Sequence, residues 1–344
     1  MRVVIAGYYG YRNWGDEGSL VAILRGLDRN AQATVLSGDP AFTEATYGVP
    51  AIPRMHLRAV RQAILDSDAL IFGGGSLLQD ATSLRSLFYY LSLIRWGLKA
   101  HGRVLLMGQG VGPLMRPVSR WLVRTTLRRV PFVSVRDADS ASLLKRLGVA
   151  HATLDADLTW SLTPLPPHVA LDAQSRWIGV APRRWRDAPV QQAFVALSRQ
   201  LHADGYRTLL IPMQESQDRA LCEAIAAETD AAVLPPPTHP AQLLGVMQHL
   251  HGIVAMRLHG AIFAAAQGTP VLCVAYDPKV DALAKQIGAL CVGLEKIEQS
   301  LIPAWVAFQA QRDTLRQRMQ EHTAALRDSA AALLQRVASE CLKG

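Results

Sequence analysis

The chain has 344 residues, half of them hydrophobic, and carries 36 Lys and Arg against 28 Asp and Glu for a formal net charge of +8. That length exceeds one ordinary core and suits two domains, while the basic balance favours anionic partners such as phosphorylated metabolites, polyphosphate lipids or an acidic membrane face. No dense Lys/Arg run interleaved with aromatics occurs, which argues against nucleic acid, and the longest apolar stretch, Leu87 to Leu98, is interrupted by Arg95 and too short to span a bilayer.

Short apolar runs alternate with amphipathic stretches. In the first half, strands are predicted at Val3–Ala6, Thr34–Ser37, Ala69–Phe72, Val104–Met107 and Phe132–Val135, with helices at Asp16–Leu27, Leu57–Leu65, Leu84–Lys99, Val118–Arg129 and Ser140–Leu147. The proline-bearing stretch Thr163–His168 breaks the pattern and reads as a linker. Strands then recur at Trp177–Ala181, Thr208–Ile211, Ala232–Leu234, Ile253–Ala255, Val271–Val274 and Leu290–Val292, and helices at Val190–Ala203, Gln217–Glu228, Pro240–His249, Ala261–Gln267 and Val280–Ile287. From Pro303 onward the chain reads as one long or two broken helices, with Leu301, Trp305, Phe308, Leu315 and Met319 as an apolar stripe suited to docking on a core or, less ordinarily, on a membrane surface. The expected fold class is α/β: two tandem Rossmann-like domains, residues 1–165 and 170–302, facing across a cleft, with a C-terminal helical tail over 303–344.

Cys222, Cys273, Cys291 and Cys341 are scattered with no C-x-x-C pair, so they read as free thiols in a reducing compartment. Met1 runs into a strand-like stretch without a signal-peptide pattern, which points to a cytoplasmic protein, with peripheral contact at the cytoplasmic membrane left open. His249 and His251 have no further ligand at metal spacing, and no metal or cofactor is expected.

The residues that carry chemistry fall where strands end. Gly7-Tyr8-Tyr9-Gly10-Tyr11-Arg12-Asn13-Trp14-Gly15-Asp16-Glu17 follows the first strand. It puts aromatic faces, Asn13 and two acids on one loop, which suits a carbohydrate; helix capping is the bland reading of Asp16. Gly73-Gly74-Gly75-Ser76 and Gly108-Gln109-Gly110-Val111-Gly112-Pro113 let backbone approach a ligand or another loop, and lack the Lys-Ser/Thr of a P-loop. Arg136 ends another strand and suits an anion clamp, the alternative being a surface pair with Asp137 or Asp139. Arg183 follows a strand of the second half. Arg257-Leu258-His259-Gly260 and Tyr276-Asp277-Pro278-Lys279 place two cations and an imidazole around a strand-loop-helix unit, with backbone N–H groups at the helix start.

In this order these motifs, with Phe72-Gly73-Gly74-Gly75-Ser76-Leu77-Leu78-Gln79-Asp80, resemble those of the polysaccharide pyruvyl transferases, in particular the bacterial type that modifies secondary cell-wall polymers for S-layer anchoring. The resemblance runs from about Val3 to about Leu294; Trp14 departs from it, where a less bulky residue is usual. It implies transfer of a pyruvyl group from phosphoenolpyruvate to two hydroxyls of a sugar, N-acetylmannosamine in a lipid-linked cell-wall glycan precursor, without a cofactor. It further implies donor binding by Arg136, Arg183, Arg257, Lys279 and Gly260, catalysis by His259 with Asp16 or Glu17 as base, and acceptor contacts from Tyr9, Asn13, Gly74 and Gln109. A proton donor among cations needs an acid nearby to stay charged, and Asp277 is the candidate. The competing readings are a GT-B glycosyltransferase using a nucleotide sugar and a non-catalytic binding scaffold.

Overall fold

The structure, a computed structural model, describes residues 1–81 and 83–341; the side chains of Glu340 and Cys341 lie outside the described residues. The chain divides into two compact units, one formed by Met1–Leu162 with Leu326–Gly344 and the other by Thr163–Ala325.

In the first unit, β1 (Arg2–Tyr9), α1 (Trp14–Gly26), β2 (Gln32–Ser37), α2 (Pro40–Tyr47), β3 (Ala51–Pro53), α3 (Leu57–Asp66), β4 (Ala69–Gly73), α4 (Leu84–Ala100), β5 (Val104–Gln109), α5 (Pro117–Leu127), β6 (Phe132–Val135), α6 (Ala138–Arg146) and β7 (Thr153–Leu154) alternate almost strictly. The strands form a parallel sheet of order β3-β2-β1-β4-β5-β6-β7. Val4, Leu36, Leu70, Phe72, Val104, Leu106 and Val133 are buried in its core, because helices cover both faces of a parallel sheet and its central strands become continuous apolar runs. Each such side chain stabilises the fold by about 1.5–3 kcal/mol relative to exposure. The chain reverses direction across the sheet between β1 and β4, so the loops after these strands diverge and leave a crevice at the carboxyl edge.

Helix α1 is unusual in being buried from Trp14 to Ile23. It starts at Trp14 rather than Asp16, so both acids fall inside its first turn, where the dipole favours negative charge. Asn13 occupies the cap position without a side-chain capping bond. Asp80 clips the approach to α5, its two carboxylate oxygens accepting the N–H groups of Met115 (2.7 Å) and Arg116 (3.0 Å).

The second unit repeats the plan with β8 (Trp177–Ala181), α7 (Val190–Ala203), β9 (Arg207–Leu210), α8 (Glu215–Ala226), β10 (Ala232–Val233), α9 (Ala241–Met247), β11 (Gly252–Ala255), α10 (Leu258–Ala266), β12 (Val271–Ala275), α11 (Pro278–Ile287) and β13 (Leu290–Gly293). Its parallel sheet has the order β10-β9-β8-β11-β12-β13, and the switch lies between β8 and β11.

The C-terminal segment is a single helix, α12 (Ile297–Arg336), that starts before Pro303 and runs through it. Leu301, Trp305, Phe308 and Leu315 are buried in the second unit's core, and Met319 is buried as well, so the stripe packs on protein. Trp305 Nε1 and Gln309 Nε2 both donate to Asp204 Oδ2 at 2.8 Å. The last turns belong to the first unit, where Ser329 Oγ accepts the Ala156 N–H (3.1 Å) and Arg336 pairs with Asp155 (2.8 Å). Among the described residues no helix is long and apolar enough to cross a membrane.

Candidate active site

In the first unit the acids of α1 separate into different environments. Glu17 is fully buried, and its Oε1 accepts the backbone N–H groups of Gly10 (2.8 Å), Tyr11 (3.2 Å) and Arg12 (3.3 Å). Its Oε2 accepts the Tyr47 hydroxyl at 2.9 Å. Burial pushes the Glu17 carboxyl up from its ordinary 4.5 to about 7, with the Tyr47 and Gly10 hydrogen bonds pulling the other way. Glu17 therefore shapes the loop after β1, with both oxygens committed to that loop and to α2. Asp16 instead lies against the glycine run, where a Cβ on Gly75 would come 2.9 Å from its Oδ1.

The same run explains its glycines. Gly74 has φ +66°, and a Cβ there would meet Ser19 Oγ at 2.2 Å, so only glycine packs against α1 at this position. Its carbonyl accepts Gln109 Nε2 at 2.7 Å. Gln109 Oε1 is buried with no hydrogen-bond partner among the described residues. Tyr9 is also corrected: it is fully buried, and its hydroxyl donates to the Gly73 carbonyl (2.7 Å), so it ties β1 to β4 and offers no face to a sugar. Asn13 keeps a half-buried side chain at the start of α1.

Arg136, at the end of β6, is buried and pairs with Asp157 through Nη1 at 2.6 Å, while Nη2 donates to Ser76 Oγ at 3.3 Å. Asp137 caps α6 by accepting the Ser140 N–H (2.7 Å), and in place of the alternative surface pair with Asp137 or Asp139 Arg136 has a buried one with Asp157. Burial opposes the Arg136 charge, and the carboxylates around it, Asp157 foremost with Asp137 and Asp16, together more than offset that cost. The Ser76 contact brings Arg136 to the loop after β4, beside Gly110.

In the second unit β8, β11 and β12 are neighbours, and each delivers charged side chains from its carboxyl end. Arg257 precedes α10 and makes a bidentate pair with the fully buried Asp218 of α8, Nε to Oδ2 at 2.8 Å and Nη2 to Oδ1 at 2.5 Å; Nη2 also donates to Gln217 Oε1 at 3.1 Å. Its charge is thus already balanced, which makes Arg257 a brace between α8 and α10 more than a cation reserved for a donor. At Gly260 a Cβ would lie 3.1 Å from Ala181 Cβ, so glycine lets α10 press onto β8.

Arg183 and Lys279 are differently placed. Arg183 Nη1 donates to the Tyr276 hydroxyl (2.8 Å), and its guanidinium lies 5.0 Å from the Tyr276 ring and 5.5 Å from that of Trp185. Lys279 Nζ lies 6.0 Å from the Tyr276 ring centre and 3.6 Å from Asp277 Oδ2. Tyr276 therefore gathers two half-exposed cations. Asp277 caps α11 through the Lys279 N–H (3.0 Å) besides this pair, and so serves Lys279 as well as the helix. His259 is the second residue of α10, half-buried, its ring 6.3 Å from that of Phe263.

The model of the polysaccharide pyruvyl transferases matches residues 18–278. The chain belongs to that family. No curated protein gives a significant match. Among solved structures, the family member is similar to UDP-GlcNAc 2-epimerase from Neisseria meningitidis bound to UDP-GlcNAc (10% identity, 97% of this chain and 99% of that one, TM-score 0.60). It is also similar to S. aureus MnaA with UDP (12%, 98% and 96%, 0.66) and to a glycosyltransferase from Rickettsia africae (13%, 100% and 99%, 0.58). At these identities the likeness concerns the fold: two Rossmann-like domains of GT-B type with a long C-terminal helix.

Sequence reasoning missed Asp157, Asp218, Ser76 and Tyr276 as partners of the candidate residues. Asp218 lay inside a predicted helix, and only its burial on the helix face toward Arg257 marks it. Asp157 carried no motif. Tyr276 was quoted only as the start of a run ending in Lys279.

Proposed function

We propose that this pyruvyl transferase takes phosphoenolpyruvate as donor and closes a ketal on two hydroxyls of a cell-wall polysaccharide sugar, N-acetylmannosamine in a lipid-linked precursor. The observation that carries the donor side is the row β8, β11, β12, beyond whose carboxyl ends come Arg183 and Lys279, gathered at Tyr276, and His259 at the start of α10. Phosphoenolpyruvate carries a carboxylate and a phosphate, and two half-exposed cations match that charge.

The chemistry follows from these groups. His259 gives a proton to the methylene carbon, leaving an oxocarbenium-like centre at the adjacent carbon. A sugar hydroxyl adds there and loses its proton to Asp16. The bond to the phosphate oxygen breaks, and Asp16 returns its proton to the departing phosphate. The second hydroxyl then closes the ring and its proton restores His259. One proton goes to carbon, one leaves with phosphate, and two come from the hydroxyls, so the step balances without an external acid. Gln109 Oε1 is assigned to an acceptor hydroxyl, and Arg257 with Asp218 to holding the start of α10 on which His259 sits.

Phosphate release from phosphoenolpyruvate with short acceptor glycans, followed by mass detection of a pyruvate adduct, tests the reading. His259→Ala is expected to stop release while donor binding persists, and Lys279→Ala to weaken donor binding. Near-normal turnover of the His259 variant rejects the assigned acid. Thermal stabilisation by UDP-sugars and not by phosphoenolpyruvate favours the rival, nucleotide-sugar transfer.

A further inference from the structure

The residue after β3, Arg54, is a buried cation with no carboxylate within ion-pair distance among the described residues, and only 7% of its surface is exposed. Its Nη1 donates to the Gly7 carbonyl (3.3 Å) and its Nη2 to the Tyr90 hydroxyl (3.0 Å), which uses two of five N–H groups. Tyrosines surround it, with ring centres at 4.8 Å (Tyr89), 5.3 Å (Tyr90), 5.8 Å (Tyr11) and 5.9 Å (Tyr8). Tyr8 and Tyr11 are themselves stacked, 4.2 Å apart and 12° from parallel. Arg136 and Arg257, the other buried arginines beside sheet edges, each have a buried aspartate. Arg54 has ring faces instead, which offset only part of the cost of taking a guanidinium out of water.

Holding the loop does not require that charge. The Gly7 carbonyl also accepts the Tyr90 hydroxyl at 3.2 Å, and the Tyr89 hydroxyl donates to the Arg54 backbone carbonyl at 2.8 Å, an interaction indifferent to the side chain. The cluster sits where β1 and β3 end, on the edge of the sheet at which such folds bind ligands.

We infer that Arg54 and its tyrosine cage form a recognition subsite for an oxyanion carried by the glycan acceptor, with the planar guanidinium taking the anion and the tyrosines bounding a sugar ring. The shared chemistry is a carboxylate or phosphate on a sugar: a uronic acid within the glycan, or the phosphate that joins a glycan to its lipid. Assigning the anion to the acceptor rests on the pyruvyl-transfer reading; anion binding by the cage does not.

Isothermal titration of the full chain with glucose 1-phosphate, glucuronate and neutral glucose tests it, beside phosphoenolpyruvate and a thermal melt, for wild type and Arg54→Met. The expected result is a loss of about tenfold or more in affinity for the charged sugar, the size of one charge-assisted contact, with phosphoenolpyruvate binding retained and no lower melting temperature, since a desolvated charge has been removed. Preference for glucose 1-phosphate points to the lipid-linking phosphate and preference for glucuronate to a uronic residue. Arg54→Lys, which keeps the charge and loses the fork, should also weaken binding and serves if the Met variant does not fold. Unchanged affinity for both charged sugars in a folded variant overturns the subsite, as does a lower melting temperature with donor and sugar affinities falling together. Wild type that binds a charged sugar through Arg54 yet releases no phosphate with any acceptor leaves the subsite standing and removes the pyruvyl-transfer reading instead.

Discussion

Asp16 and Glu17 are adjacent, both within the first turn of α1, and the chain alone gives no reason to prefer either as a base. The distinction comes from the path of residues 10–12, which folds over Glu17 and spends its N–H groups there. A loop's path is set by long-range packing, so this part of the site was not legible, whereas the glycine runs and the basic strand ends were. The raised Glu17 pKa has a measurable consequence. The folded state holds that proton up to about pH 7 while the unfolded chain releases it near its ordinary 4.5, so the associated stability is complete below 4.5 and is lost as pH rises through this window. The loss amounts to at most about 3 kcal/mol. Urea unfolding from pH 5 to 7.5 should show this decline in wild type and a flatter profile in Glu17→Gln; superimposable slopes would reject it. Asp16→Asn removes a charge that itself helps to raise the Glu17 pKa, so it should make the slope shallower, less than Glu17→Gln does, and lower phosphate release by about a hundredfold or more.

At the level of elements, the strongly apolar strands were legible because a sheet buried on both faces demands continuous β-branched runs. The elements missed were β3, β7 and α2. The two strands are short edge pieces; β7 is exposed throughout, and α2 buries only Thr43, so none has a hydrophobic pattern to betray it. The start of α10 was placed too late because Leu258 and His259 look like loop residues until Arg257 is braced. That brace spans 39 positions of sequence, from β11 to α8, which no local pattern reveals. Arg257→Met strands the Asp218 carboxylate in the interior and should cost about 3–5 kcal/mol. Adding Asp218→Leu should recover most of that loss, because replacing both partners leaves no buried charge. Denaturant midpoints of the two single variants and the double variant decide it. A double variant no more stable than Arg257→Met alone would show that the pair is not an isolated unit.

For the whole molecule, the repeated β-α pattern announced two parallel-sheet units, and the proline-bearing stretch falls where the second begins, at Thr163. The residues from Leu326 onward return to the first unit, carried there by one continuous helix, and no local pattern marks the residue at which the helix passes from one unit to the other. The net charge of +8 was legible, but its use depends on which cations keep their field. Arg136 and Arg257 are neutralised by buried aspartates, so they contribute little attraction at a distance. Arg183 and Lys279 remain half-exposed, and Lys279 is only loosely paired with Asp277 at 3.6 Å. Attraction of a multiply charged donor should therefore be sensitive to salt, since the screening length falls from about 10 Å at about 0.1 M to about 3 Å at about 1 M. Over that range KM for phosphoenolpyruvate should rise several-fold while kcat changes little, because screening weakens encounter and binding more than a proton transfer made in contact. Lys279→Ala should raise KM at low salt and flatten its further rise. A KM indifferent to salt in wild type would mean that the donor is not drawn by these cations, and would return the clamp to the buried arginines.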